Sequence, residues 1–393
     1  MTQRADPGFL VELQKYGTVN VEACFNCGNC SAVCPLADDE AGFPRRMIRY
    51  GQLGLREPLL SSKELWLCYY CGECTETCPR QADPAGFMAA ARSYAIGQYD
   101  RLGLARRLYT SAMFTVVFLL GLAAALALII YAFHGPMPGA TLDLFAFIPE
   151  EAVHNAGIIV GVLMLLALLA GVANMVVHLR RQAGLPQGVR PDWPRALRET
   201  VVEVIGQRRY REGCEDDDEP REPWYGRRWL VHTAILWGFL GLFLATILDY
   251  GLALLSVKAT GTWVPIWYPV RLLGTVAGLV FIYGVTAAIV RRARHADASA
   301  AHSTPADWAF LALLWLAGVT GFVLEFAVYL PEPHAWSYWM LLGHVVVVLE
   351  LLLLLPFSKF AHAVYRSLAL YFYALKPRPA VVAAGALGTG SVD

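Results

Sequence analysis

Eight cysteines fall into two runs of identical spacing, CFNCGNCSAVCP at 24–35 and CYYCGECTETCP at 68–79, which lie 44 positions apart. The pattern C-x2-C-x2-C-x3-C-P is typical of [4Fe–4S] ferredoxins, in which three close cysteines surround one face of a cubane and the fourth points away. In two-cluster ferredoxins that fourth cysteine binds the other cluster. The spacing therefore predicts two crossed ligand sets, which are Cys24, Cys27, Cys30 and Cys78 for one cluster and Cys68, Cys71, Cys74 and Cys34 for the other.

Two zinc sites are the alternative interpretation of these cysteines. Zinc ribbons usually pair two cysteines as CxxC and do not place four in one run, so the pattern favours clusters. Residues 1–23 are polar and lack the apolar core of a signal peptide, which predicts a cytoplasmic N-terminus where clustered cysteines bind metal more often than they form disulfides. The 32-residue linker between the runs has no alternating β pattern, so we expect an α-helical ferredoxin.

The elements that follow the cysteine runs have the composition of a membrane protein. Hydrophobic residues make up 56% of the chain and charged residues 16%, and the formal net charge of zero gives no argument for a nucleic-acid partner. Six apolar stretches are each long enough to span about 30 Å of hydrocarbon as a helix. They lie near 109–133, 155–179, 229–255, 268–290, 307–330 and 337–364.

The distribution of arginines predicts the orientation of these spans. Arginines flank the span ends that lie on the same side as the N-terminal region, whereas the loops on the opposite side contain one basic lysine or arginine side chain, Lys258. This distribution predicts that both termini and the cysteine region lie on the cytoplasmic side of the cytoplasmic membrane. The predicted fold is all-α. It has a two-cluster ferredoxin-like domain at 1–100, a six-span transmembrane cytochrome b domain at 101–375 with a cytoplasmic loop at 180–228, and a flexible tail at 376–393.

Five histidines near the ends of the spans are candidate haem ligands. His344 and His362 are 18 residues apart, so on one continuous helix they would share a face about 27 Å apart, as two stacked b-type haems require. His232 opens the third span at the level where His362 closes the sixth, and His178 competes with it for that inner position. His154 lies at the outer end, and each of these histidines could instead be an ordinary residue at the membrane interface.

Three carboxylates within or near the spans are candidates for quinone hydrogen bonding or proton transfer, because ionisable groups in a bilayer are costly and usually functional. Glu325 and Asp249 lie toward outer span ends, and Glu350 lies in the middle of the sixth span. A neutral carboxylic acid bonded to a neighbouring helix is the alternative for each. No glycine-rich nucleotide fingerprint follows a strand, so flavin or nicotinamide chemistry is expected on partner subunits.

The membrane part resembles the cytochrome b subunit of respiratory nitrate reductase. HVVVVLELLLLLPFSKFAH at 344–362 looks like its last span, and HTAILWGFLGLF at 232–243 resembles the helix that carries the partner ligands. The resemblance implies a haem b held by His232 and His362. That family has a second histidine ten residues after the first, where Leu242 stands here, so an outer haem on His344 would need a substitute ligand such as His154 or Met164.

The cysteine region resembles the iron–sulfur C subunit of heterodisulfide reductase. The resemblance lies in the two cysteine runs, in the stretch Pro44–Arg46 between them and in the segment Trp66–Cys68 that leads into the second run. The fusion of such a head to such a cytochrome is similar to the C-subunit family of quinone-interacting membrane-bound oxidoreductases. This resemblance implies partner subunits with flavin and iron–sulfur clusters, and work beside adenylylsulfate reductase in dissimilatory sulfur metabolism.

From the residues we expect a membrane-anchoring subunit of a quinone-linked oxidoreductase, which has no soluble substrate of its own. Two [4Fe–4S] clusters and one or two b-type haems would carry electrons between cytoplasmic subunits and membrane quinone. Two alternatives remain open. The chain could serve a heterodisulfide-reductase-like or nitrate-reductase-like module with another partner, or it could be a redox sensor or anchor that conducts no electrons.

Overall fold

The structure is a computed structural model of the 393-residue chain, and the predicted tail at 376–393 lies outside the part that it describes. The described residues form helices and turns with no β-strand among them, which confirms the all-α prediction. They are residues 4–17, 19–37, 42–182, 192–208, 211, 223–257, 264–294, 302–330 and 332–375.

Short helices build the N-terminal region, which we call the head. They are α1 (Phe9–Leu13), α2 (Asn29–Ala32), α3 (Arg45–Gln52), α4 (Arg56–Leu60), α5 (Glu64–Leu67), α6 (Glu73–Glu76) and α7 (Pro84–Tyr99). Asp83 starts α7, because its carboxylate accepts the Gly86 N–H and Pro84 supplies the preset φ of a first helical residue. Helix α7 is buried on nearly every side and forms the centre of the head.

Six helices are long and apolar enough to cross a membrane, as predicted. They are α9 (Ala112–Tyr131), α11 (Glu150–Gln182), α13 (Arg228–Leu254), α14 (Pro269–Ala293), α15 (Pro305–Ala327) and α16 (Ala335–Leu354). Four other helices connect or flank them, namely α8 (Leu104–Thr110), α10 (Leu144–Phe147), α12 (Trp193–Gly206) and α17 (Ala361–Ala374). The chain is therefore a multi-pass membrane protein with a helical bundle.

The expectation that His344 and His362 share one helix is wrong. Helix α16 ends at Leu354, a 3-10 turn covers Leu355–Phe357, and His362 lies in the first turn of α17. Pro356 explains the break, because its ring clashes with the preceding turn and it has no N–H to continue the helical hydrogen bonds. The two histidines therefore do not share one helix face five turns apart.

The head packs against one end of the bundle. Helix α11 has 33 residues and is about 50 Å long, which exceeds the hydrocarbon thickness and lets its last turns reach the head. There Arg181 pairs with Glu57 at 2.6 Å, and the Asn174 amide donates to the Tyr99 carbonyl at 2.7 Å. This is the arginine-rich end of the helices. The cytoplasmic location of that end and the domain boundary at residue 100 stay predictions, and α7 packs on both α8 and α11 across that boundary.

Candidate metal centres

The two cysteine runs fold in the same way. In each run the residue two positions after the first cysteine donates its backbone N–H to that cysteine's sulfur at 3.4 Å, Asn26 to Cys24 and Tyr70 to Cys68. Both donors have positive φ, 61° and 58°, which is uncommon for residues other than glycine. Amide groups aimed at sulfur are what a thiolate bound to a cluster requires, because they offset its negative charge.

A left-handed glycine follows in both runs and turns the chain into the short helix that carries the third cysteine. Gly28 has φ 93° before α2 and Gly72 has φ 98° before α6. A Cβ at Gly28 would also stand 3.1 Å from the Arg45 guanidinium, so a side chain there would meet both backbone strain and a close contact.

The structure groups the cysteines across the two runs. Cys30 is buried, and burial together with the neighbouring charges of Cys24, Cys27 and Cys78 raises its pKa. The Asn29 amide joins the runs by donating to the Thr77 carbonyl at 2.6 Å. These neighbours are the ones that the crossed-ligand prediction assigns to the first set.

The second set is grouped in the same crossed manner. Burial raises the pKa of Cys34 to about 12, and the charges of Cys68 and Cys71 in the other run raise it further. Burial also raises the pKa of Cys74, with Cys68, Cys71 and Cys34 adding to the effect, and Cys30 of the first set contributes last. Cys34 therefore lies with the second run and not with its own.

The space inside the second set fits a polynuclear cluster. Cys34, Cys68, Cys71 and Cys74 line a cavity of about 220 Å³. Within the described residues, no three His, Cys, Asp or Glu side chains lie close enough to hold a single metal ion, and no disulfide joins the eight cysteines of the two runs, all of which are described. Thiolates spread around a cavity of this size suit a [4Fe–4S] cubane better than one zinc ion.

His232 and His362, predicted as partners, lie with ring centroids 6.2 Å apart and an interplanar angle of 62°. Both rings could therefore hold one metal ion, since a metal–imidazole nitrogen bond is about 2 Å long. Nδ1 of His232 lies 2.9 Å from Gln207 Oε1, and Nδ1 of His362 bonds to the Lys359 carbonyl oxygen. With Nδ1 held by an oxygen, Nε2 is the nitrogen that could bind a metal.

Two arginines join this histidine pair to the second cysteine run. Arg228 donates to the carbonyl oxygens of Tyr70 at 2.7 Å and Cys71 at 3.0 Å. Arg366 donates to the carbonyl oxygens of Trp66 and Cys68, both at 3.1 Å. Each arginine lies four residues from a histidine on its own helix, which places it on the same face one turn away.

Sequence reasoning missed the roles of Arg228 and Arg366. Arg228 counted only as a positive charge at the end of a span. The available signal was the repeated four-residue spacing between arginine and histidine, in α13 and again in α17.

The other candidate histidines have separate neighbours. Nδ1 of His344 lies 2.8 Å from Thr320 Oγ1, and its ring packs on Gly321, where a Cβ would come 3.2 Å from the ring. His154 lies 3.7 Å from Glu150 and its ring packs on Tyr250. These contacts do not bring His154 and His344 together.

His178 does not join His232 and His362. Its Nδ1 lies 3.3 Å from Glu57 Oε2, and its ring is 5.8 Å from that of Tyr99, so its described contacts are with the head. His302, which was not among the candidate histidines, also contacts the head, through Nε2 at 3.0 Å from Asp83.

The three candidate carboxylates have different surroundings. Glu325 forms an ion pair with Arg271 at 2.9 Å. Glu350 is 3% exposed, and its Oε1 has no hydrogen-bond partner among the described residues. Asp249 is exposed on α13. Glu350 is thus the buried carboxyl of the three.

Comparison with known proteins identifies both parts of the chain. Residues 20–82 match the 4Fe-4S dicluster domain family, and residues 103–383 match the family described as Citrate utilization protein B. The Citrate utilization protein B of Escherichia coli is 29% identical over 151 residues, which cover 37% of this chain and 38% of that protein.

The head is similar to heterodisulfide reductase subunits. The iron-sulfur C subunit of the CoB–CoM heterodisulfide reductase of Methanopyrus kandleri is 35% identical over 70 residues, 16% of this chain and 36% of that protein. The C subunit of the H(2):CoB-CoM heterodisulfide,ferredoxin reductase of Methanothermobacter marburgensis is 33% identical over 62 residues, 16% of this chain and 34% of that protein. The chain thus spans less than two fifths of the length of these curated relatives, and no solved structure matches it.

These matches confirm the predicted likeness of the head to the C subunit of heterodisulfide reductase, and the family match at 20–82 supports iron–sulfur clusters in the head. The nitrate-reductase likeness of the membrane part and the assignment to a quinone-interacting complex stay predictions. Since the match at 103–383 covers well over half of its length, the chain belongs to the Citrate utilization protein B family.

Proposed function

We propose that the chain is the membrane subunit of an oxidoreductase complex, and that it passes electrons between cytoplasmic redox subunits and the membrane quinone pool. The main support for this proposal is the pair of arginines that connects the second cysteine run to the two helices of the histidine pair. Bound [4Fe–4S] clusters and haem b supply one-electron redox chemistry. The chain's own residues hold these groups in order and set the spacing between them.

The first cysteine set faces the partner subunits. Cys27 is exposed, and the neighbouring Phe25 side chain is 62% exposed with the Arg80 guanidinium 5.7 Å from its ring centre. An apolar ring beside an accessible ligand suits contact with another redox protein. Cys24, Cys27, Cys30 and Cys78 would hold the cluster that exchanges electrons with that protein.

The second cysteine set faces the membrane helices. Cys68, Cys71, Cys74 and Cys34 would hold its cluster, and the loop of this run receives Arg228 from α13 and Arg366 from α17. Their charge lies on carbonyl oxygens next to the ligands, where it stabilises added electron density. The same two helices present His232 and His362 one turn away, so the inner haem would lie next along the path.

An outer haem would need a ligand beyond this pair. His344, oriented by Thr320 and packed on Gly321, would hold such a haem only together with a second ligand that the described contacts do not supply, since His154 lies elsewhere. One haem per chain therefore fits the described contacts better than two.

Three carboxylates stay candidates for bonding to quinone or moving its protons. They are Glu350, Glu325 and Asp249. Among them Glu350 is favoured by its burial, and Glu325 is disfavoured by its ion pair with Arg271.

Two classes of partner fit this role. Likeness to the C subunit of heterodisulfide reductase, and the resemblance to quinone-interacting complexes, favour flavin and iron–sulfur subunits that work beside adenylylsulfate reductase in sulfur metabolism. The family match favours a partner enzyme that acts on citrate or a related tricarboxylate. Co-purification from a strain with an affinity-tagged chain, followed by mass spectrometry, separates the two.

Haem content tests the proposal against a sensor or anchor that conducts no electrons. We expect purified chain to show reduced b-type haem bands, and we expect His232→Ala and His362→Ala each to remove one haem because each leaves the metal with a single imidazole. The electron paramagnetic resonance of the clusters should stay unchanged in both variants.

His178→Ala is the matched control, because its contacts are with Glu57 and Tyr99 in the head. It should keep the full haem content. A purified chain without haem bands would refute the proposal, and full haem content in His362→Ala would refute the ligand assignment.

A further inference from the structure

A glutamine holds the backbone at the start of the first cysteine run. The Gln52 side-chain amide donates to the carbonyl oxygens of Val21 at 2.9 Å and Cys24 at 2.8 Å. Its Oε1 accepts from the Asn26 side-chain amide at 2.9 Å. Cys24 is the first predicted cluster ligand of this run, so Gln52 binds the peptide group of a ligand through a neutral donor.

An arginine occupies the equivalent position in the second run. The Arg92 guanidinium donates to the carbonyl oxygens of Leu65, at 2.8 Å, and Cys68. These two residues stand 44 positions after Val21 and Cys24, which is the offset between the two runs. The internal repeat thus gives each run the same two carbonyl acceptors, with an uncharged donor in one run and a charged donor in the other.

The backbone bonds to sulfur do not distinguish the two runs. Asn26 and Tyr70 each donate a backbone N–H to the sulfur of the first cysteine in their run, both at 3.4 Å. Hydrogen bonds to the sulfurs, net charge and solvent exposure set the reduction potential of an iron–sulfur cluster. Since these sulfur bonds match, the donors at the carbonyls are where the two runs differ in charge.

The second run receives two more guanidinium groups. Arg366 donates to the Cys68 carbonyl at 3.1 Å, and Arg228 donates to the Cys71 carbonyl at 3.0 Å. Arg92, Arg366 and Arg228 are all mostly buried. Water and salt screen such charges much less than exposed ones, so they stabilise the added electron of a reduced cluster.

The arginines near the first run are exposed to water. Arg80 approaches the Ala23 carbonyl at 3.5 Å, and its guanidinium lies 5.7 Å from the Phe25 ring centre. A guanidinium nitrogen of Arg45 lies 3.1 Å from where a Cβ at Gly28 would stand. Both arginines are exposed, so water and salt screen their charge. The described contacts of the first run thus include no mostly buried cation on its carbonyl oxygens.

We propose that Arg92 raises the reduction potential of the cluster held by the second run above that of the first, and that Arg366 and Arg228 add to this effect. An electron shared between the two clusters then resides on the one beside the histidine pair. The inference rests on the proposed function, which places both clusters on one electron path. The transfer oxidises the first cluster by one electron and reduces the second by one, and a reduced flavin of a partner subunit supplies the electron.

A redox titration of the purified, cluster-loaded chain, followed by electron paramagnetic resonance, tests this role of Arg92. We expect two cluster midpoints in the wild type. Arg92→Gln gives the second run the donor type of the first and should lower the upper midpoint, because charged hydrogen bonds are roughly twice as strong as neutral ones. The sharing of an electron between the clusters should shift about tenfold toward the first, which is about 59 mV for a one-electron couple.

Three further variants separate charge from structure. Arg92→Lys keeps the charge and should keep both midpoints near their wild-type values. Gln52→Lys adds a charge to the first run and should raise the lower midpoint alone. Arg107→Gln is the matched control for loss of one arginine charge, because Arg107 is exposed and its guanidinium lies 5.8 Å from the ring centre of Phe114 in α9. Both midpoints should stay unchanged in that variant.

Several outcomes would overturn the assignment. They are a single midpoint in the wild type, a fall of the lower midpoint alone in Arg92→Gln, no shift in that variant, or equal shifts in Arg92→Gln and Arg92→Lys. If Arg92→Gln does not assemble its second cluster, Gln52→Lys decides, and an unchanged lower midpoint there would refute the role of charge. Haem content in the same samples tests the proposed function separately, because a chain without haem can still show the expected midpoint shifts.

Discussion

Arg366 should be the side chain whose loss most weakens the contact between the head and the bundle. It donates to the carbonyl oxygens of Trp66 and Cys68, both at 3.1 Å, and its guanidinium lies 4.4 Å from the ring centre of Tyr69. We expect Arg366→Met to detach the loop of the second cysteine run from α17, because methionine keeps the apolar volume and supplies no donor.

The magnitude follows from what the substitution leaves unpaired. Arg92 also donates to the Cys68 carbonyl, so only the Trp66 carbonyl loses its charged donor. One such hydrogen bond contributes about 1.5–3 kcal/mol, and stacking on Tyr69 adds about 0.5–2 kcal/mol. A loss of about 2–5 kcal/mol should lower the unfolding temperature of the head by about 8–40 °C, by the usual scaling for a domain of its size.

Thermal loss of the visible cluster absorbance measures this shift in the purified chain. Arg49→Met is the matched control, since Arg49 is exposed in the last turn of α3 and exposed substitutions usually change stability by about 0.5 kcal/mol or less. Arg366→Met should also slow haem reduction by electrons that enter through the clusters. Equal transition temperatures and equal haem reduction rates in the two variants would refute the reasoning.

Three further predictions concern the head. Cys34→Ser should remove the second cluster and Cys78→Ser the first, as electron paramagnetic resonance would show, and the reverse outcome would contradict the crossed ligand sets. Burial opposes ionisation of Asp83, but hydrogen bonds from His302, the Gly86 N–H and Thr75 outweigh burial and lower the pKa of its carboxyl. The stabilisation by ionised Asp83 should therefore be present above its unfolded pKa of about 3.9 and disappear as the pH falls through the lower folded pKa. Asp83→Asn should make the unfolding free energy depend less on pH in this acid range. Gly28→Ala should cost about 1–2 kcal/mol because of its left-handed φ, whereas Gly139→Ala, with open space around its Cβ position, should leave cluster stability unchanged.

Much of the cysteine region could be predicted from sequence because its chemistry depends on local spacing. Four cysteines within eleven residues can reach only a few geometries, and the folded chain places Cys34 beside the other run as the ferredoxin pattern implies. The six apolar helices could be predicted equally well from the sequence, because their length and composition have few other interpretations. The Arg228 and Arg366 contacts were not, since they join residues 157 and 298 positions apart in the chain.

The position of His362 shows why the prediction of a straight sixth helix was wrong. The same prediction nevertheless placed His362 at the level of His232, whose ring lies beside it. Pro356 ends α16, so α17 can take a direction of its own and pack on α12 and α5. In α13 the arginine precedes the histidine by one turn, and in α17 it follows by one turn, so the two helices run in opposite directions past the same loop. This reversal lets both helices present arginine to the cysteine loop and histidine to each other. In a continuous sixth helix, the orientation of His344 would also determine the orientation of His362. The break at Pro356 removes this constraint and allows the His362 ring to lie 6.2 Å from the His232 ring.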